Sequence, residues 1–179
     1  MLKTYLSILG SQIIDFDDGS SLGLIRDVIV DPDTGKIEAF WVKPFTLPLK
    51  HAVLQSQDII EWKKHVYVRG ESCISDPAEI IKVADILTRH TYVIGNRVRG
   101  QSGKKYGRVF SLDFDASQYY IRNIYVQKSF FGFFSYNKRV FSFDSILEIL
   151  PDMILLNDDA AVKAKVIENS LVGDRPASA

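Results

Sequence analysis

Five residues from the first half of the chain recur at one fixed distance in the second. Gly19, Gly23, Asp31, Ile37 and Val42 are followed 84 positions later by Gly103, Gly107, Asp115, Ile121 and Val126. Self-similarity at a fixed period constrains a fold more tightly than composition does, because both copies must build the same unit. The shared residues are glycines, an aspartate and β-branched residues, which suit strands and tight turns rather than helices. The expected fold is mainly β, with two tandem small β-barrels, each followed by a short helix.

In the first copy, residues 21–30 read as a strand with Leu24, Arg26, Val28 and Val30 on one side and Ile25, Asp27 and Ile29 on the other. Pro32 then presets φ, and Gly35 supplies a left-handed position, so residues 31–35 turn the chain into a return strand over 36–42. The same register in the second copy gives a strand over 106–114, a turn at 115–118 that lacks a glycine, and a strand over 119–126. Short strands are expected at 51–54 and 66–68, and at 139–143 and 153–156. The offset grows from 84 to 87 by the time Ile59 aligns with Ile146, which places an insertion in the loop over 129–137. Loops are where small scaffolds carry specificity.

A helix is expected over 76–87, with Asp76 as N-cap, Pro77 at the first helical position and Glu79 reaching back to the cap. Ile80, Val83, Ala84 and Leu87 would form its buried face. A comparable helix is expected over 159–168. The units are then 1–88 and 89–172, with a disordered polar tail over 173–179.

The stretch from Leu6 to Ile14, the pair Gly19 and Gly23, and the run from Ile25 through Asp31, Thr34 and Gly35 to Ile37 resemble the opening of a PRC-barrel domain. In the second copy, Gly95, Val98, Gly103, Gly107, Asp113 and Asp115 are similar to the same pattern. The resemblance implies two tandem PRC-like barrels acting as an adaptor that binds other proteins. Such barrels occur in the cytoplasmic part of the photosynthetic reaction-centre H subunit and at the C-terminus of ribosome-maturation factors. Neither the membrane anchor of the former nor the extra N-terminal barrel of the latter is expected here, so a stand-alone tandem protein is. The resemblance supplies no substrate, because fold alone does not carry function.

Chemistry is sparse. Asp31, Asp33 and Gly35 have the spacing of a calcium loop, but position twelve holds Val42 instead of the required glutamate. Asp15, Asp17 and Asp18 read as a solvated loop. His51, His65 and His90 lack ligand spacing, and Cys73 has no partnered base. Gly100 to Lys105 is too short for a phosphate-binding loop and leads into a strand. Neither catalysis nor a cofactor or metal is expected. A single cysteine suits a reducing compartment, and no apolar run approaches the ~20 residues needed to span a bilayer. A soluble, cytoplasmic protein is expected.

The copies differ in charge. From 95 to 139 there are nine basic residues against two acidic ones, although the whole chain is neutral. Two candidate surfaces follow. The first is the aromatic loop of Phe130, Phe131, Phe133 and Phe134 with the basic rim Lys128, Lys138 and Arg139, composed like an interface hot spot for a protein partner or a second copy. Phe45 lies in the corresponding loop of the first copy. The second is Arg97, Arg99, Lys104, Lys105 and Arg108, a nucleic-acid candidate with nearby aromatics for stacking. The Phe loop between lysines also suits peripheral membrane contact.

Overall fold

The structure is a computed structural model that describes residues 1–130, 134–157, 159 and 165–167, with side chains for 1–128, 138–157 and 159. It is mostly β. Strand β1 (Leu2–Thr4) and one helical turn, α1 (Tyr5–Ile8), lead into β2 (Gln12–Asp15), β3 (Ser21–Val30), β4 (Ile37–Pro44), β5 (Ala52–Gln55), β6 (Ile59–Trp62), β7 (Val66–Val68) and β8 (Ile74–Ser75). Helix α2 (Ile81–Thr88) precedes β9 (Arg97–Gly100), β10 (Lys105–Asp115), β11 (Ile121–Phe130), β12 (Phe134–Ser142), β13 (Ile146–Ile149), β14 (Met153–Leu156) and β15 (Lys165–Ile167). Among the described residues, one sheet runs β6-β7-β2-β3-β4-β5-β8 and the other β13-β14-β9-β10-β11-β12-β15. The two orders correspond strand for strand, each with one parallel pair, β2 with β7 and β9 with β14.

One recurring glycine pair, Gly23 and Gly107, is explained by the close approaches it permits. Gly107 has φ +125°, and a Cβ there would meet the Gln127 carbonyl oxygen at 2.1 Å; at Gly23 it would meet the Lys43 carbonyl oxygen at 2.7 Å. Only glycine lets the strands pass this closely. In each hairpin an aspartate carboxylate accepts from the backbone two residues on, Asp31 from Asp33 N–H and Asp115 from Ser117 N–H. Gly35 then turns with φ +71°, and Tyr119, its counterpart, adopts φ +63°. The turn without a glycine thus keeps the left-handed geometry, at a local conformational cost.

The hairpins meet each other. Ile37 N–H donates to the Tyr119 carbonyl at 2.8 Å and Ile121 N–H to the Gly35 carbonyl at 3.0 Å, with Lys36 paired to Tyr120 between them. These two bonds exchange places under the 84-residue offset, so a pseudo-twofold axis runs through the bridge. Phe114, wholly buried, has its ring 6.3 Å from Phe40, 5.9 Å from Trp62 and 6.4 Å from Tyr119. Residues from Tyr5 to Leu156 therefore form one continuous hydrophobic cluster. Leading segments also cross over: β1 pairs with β10, and Arg89, just after α2, bonds Asp33 of the first hairpin at 2.6 Å.

Two helical expectations change. The Asp76 carboxylate does cap, accepting from Ala78 N–H at 2.9 Å, but the first turn is a 3₁₀ helix over Pro77–Glu79, and Ile80 is extended at φ −110°. Ile80 joins Val83, Ile86 and Leu87 in packing on the outer face of the first sheet, against Ile29, Ala39 and Val53. The helix expected over 159–168 is corrected at Lys165–Ile167, which pairs with β12 as β8 pairs with β5. At Lys165–Ile167, closing the sheet edge outweighs the expected helix, in keeping with the β-branched Val166 and Ile167. The tail over 173–179 lies outside the described residues.

Tyr119 and Tyr5 make stability sensitive to alkali. Burial pushes the Tyr119 phenol up to about 12 from its ordinary 10.0. Burial, then the carboxylate of Asp27 that accepts its hydrogen bond, pushes Tyr5 to about 12 as well. Both phenols hold their protons longer folded than unfolded, so their contribution is intact below about pH 10 and is lost as pH rises toward about 12. Melting temperature should fall across that window, and less steeply in a Tyr5→Phe, Tyr119→Phe variant. Equal slopes would contradict the assignment.

Candidate partner-binding face

The register of β9 and β10 puts like charges opposite one another. Arg97 faces Arg108 and Arg99 faces Lys105, with Val98 facing Gly107 between them. Val98 points into the core at 1% exposure, so alternation sends Arg97 and Arg99 to the outer surface. The equivalent pairs in the first half are Gln12 with Leu24 and Ile14 with Ser21, flanking Ile13 and Gly23. A neutral patch in one half is thus a square of four cations in the other. Like charges directly across an antiparallel pair oppose folding.

These side chains line a groove of about 320 Å³ together with Lys128 from β11, next to Gln127, which faces Arg108. Among the described residues none of the five cations forms a salt bridge with an acid. Arg108 is anchored, donating from Nη1 to the Gly95 carbonyl at 2.8 Å. Arg97 and Arg108 are shared with an adjoining hollow of about 370 Å³ that reaches Tyr92 and Asp152.

The two sequence candidates converge here. Lys128, from the aromatic-loop set, sits with Arg97, Arg99, Lys105 and Arg108 from the basic set. Lys104 does not line the groove. Its Nζ lies 5.6 Å from the ring centroid of Tyr106, and the Arg139 guanidinium lies 5.5 Å from the same ring. Lys138 lies 5.7 Å from the Phe110 ring. Phe131 and Phe133 fall outside the described residues, as do the side chains of Phe130 and Phe134. In the corresponding loop of the first half Phe45 is 51% exposed, while Leu47 and Leu49 pack on the core.

Several described aromatics of this half are committed elsewhere. Tyr106 is 4% exposed and Phe141 is 2% exposed. Tyr125 donates its hydroxyl to Asp113 at 2.9 Å, and Asp113 also accepts from the Asn123 backbone and side chain. This half-buried polar cluster occupies the positions of Ile29, Ala39 and Trp41, which α2 covers in the first half. Periodicity gave no signal for it, since a lone Asp in a strand reads as solvent-facing.

Elsewhere, burial raises the Cys73 thiol pKa, which leaves it less thiolate and less reactive than a free cysteine. Among the described residues no group of three or more His, Cys, Asp or Glu side chains could hold a metal ion, and no helix is long and apolar enough to cross a membrane.

In comparisons with known proteins, residues 3–70 match the PRC-barrel domain family. No curated protein matches the chain. The match covers the first sheet through β7. The second half stands on its strand order, which repeats that of the first.

Proposed function

We propose that the protein is a non-enzymatic adaptor, in which the PRC-barrel half serves as scaffold and the second half presents the basic groove to an acidic protein partner. PRC-barrel domains are general protein-interaction modules, which supports the class of function. The observation that carries the finer reading is the change of two cross-strand pairs, from Gln12 with Leu24 and Ile14 with Ser21 to Arg97 with Arg108 and Arg99 with Lys105. A duplicated scaffold has no structural need for four mutually repelling cations, and a bound anion removes the repulsion.

Burial of Tyr106 and Phe141, with Tyr125 held by Asp113, favours a protein over single-stranded RNA, whose binding draws on exposed stacking platforms. The test is affinity capture from the native host with wild type and with an Arg97→Gln, Arg99→Gln, Lys105→Gln, Arg108→Gln variant. Partner capture should disappear while the melting temperature stays level or rises as repulsion is relieved. Retention of the same partners by the variant would refute this reading, and a marked drop in melting temperature would assign the cations a structural role.

A further inference from the structure

We infer that the groove recognises a phosphate monoester, carried on a phosphorylated segment of the protein partner; this rests on the adaptor reading above. Charge density separates the candidate anions. Arg97, Arg99, Lys105, Arg108 and Lys128 line one groove of about 320 Å³. Neighbouring Cβ atoms across the strands are about 5 Å apart, and the two ranks along β9 are about 6.6 Å apart. A carboxylate brings one negative charge and two oxygens to such a square. A phosphate monoester brings about −1.5 to −2 and three acceptor oxygens at a single point, so it can bond to both ranks at once. A phosphodiester carries one charge per group and brings bases that need stacking partners, and only Tyr92, 56% exposed, borders the adjoining hollow.

The groove is also prepared for such a group. Arg108 is tethered through Gly95, so less side-chain freedom remains to be lost on binding. Arg97, its cross-strand neighbour, completes a pair of planar forks suited to bidentate contact with phosphate oxygens. The first half keeps the backbone of this site with a single cation, Lys43, at the position of Gln127, so the concentration of charge belongs to the second half and not to the scaffold.

The test uses the full chain and fluorescence anisotropy with a labelled short peptide bearing one phosphoserine. The controls are the same peptide with serine, the same peptide with glutamate, inorganic phosphate as competitor, and an oligouridylate. The phosphopeptide should bind about tenfold or more tightly than the glutamate peptide, the equivalent of roughly one additional charge-assisted hydrogen bond. Its affinity should fall as pH drops below about 6, where the monoester takes up its second proton, while the glutamate peptide shows no such step there. Inorganic phosphate should compete, and Arg99→Gln with Arg108→Gln should abolish binding. Equal binding of phosphopeptide and glutamate peptide would overturn the inference, as would tighter binding of oligouridylate. Either result can coexist with loss of partner capture in the fourfold variant, so the adaptor reading is judged separately.

Discussion

Truncating Phe114 to alanine should destabilise the two halves together, by about 3–5 kcal/mol. The residue belongs to β10, yet its ring meets Phe40 and Trp62 of the first sheet and Tyr119 across the bridge. Its removal leaves a cavity bounded by both halves, and rigid sheets on either side limit how far the cavity can collapse. Both tryptophans, Trp41 and Trp62, lie in the first half, so their fluorescence reports on the sheet that does not contain the mutation. In denaturant, the tryptophan signal and the far-ultraviolet dichroism of the whole chain should move together to a lower midpoint. A tryptophan transition left where it is in wild type would show that the cores are independent.

The second large effect concerns the isolated first half. Residues 1–88 should not form a stable monomer. Without β10, strand β1 loses the sheet partner it has among the described residues, and without Tyr119 and Ile121 the hairpin at Gly35 loses both bridging hydrogen bonds. Phe40 and Trp62 would also turn toward solvent the faces that Phe114 now covers. Domains this small bury little to spare. The expected result is either an unfolded chain or a dimer in which a second copy supplies the missing surface, read by sedimentation together with circular dichroism. A folded monomer with a cooperative melt would contradict the shared core.

The hairpins were legible because their signals are local: Asp31, Pro32 and Gly35 at one turn and Asp115 at the other, flanked by β-branched and aromatic runs. Val66–Val68 and Met153–Leu156 were legible for the same reason. Strand β1 was not, since Lys3 and Thr4 acquire extended pairing only from Phe114 and Asp113, more than a hundred residues away. Strand β15 was hidden among helix-favouring alanines and is defined by the free edge of β12. At the site, the surplus of basic residues was countable in the sequence. Its arrangement in opposed pairs was not, because that depends on the register of β9 against β10, and β9 is only four residues long. Lys128 is adjacent in sequence to the aromatic loop and joins the groove through the pairing of β10 with β11.

Tyr119 and Gly35 occupy matching positions, and the residues near them differ in a compensating sense. The ring of Phe143 lies over Gly35, whereas the residue matching Phe143 in the 3₁₀ turn of the first half is Ser56. A dimer of identical chains could not hold that arrangement, since an isologous contact obliges every substitution to be tolerated twice, once on each side of the axis. Covalent linkage lifts the obligation. A bulky residue can be accommodated on one side by a small one on the other, and one face can gather charge without its twin doing so. Joining the copies in one polypeptide thus makes self-complementarity dispensable, and departures from symmetry become variables on which selection can act separately.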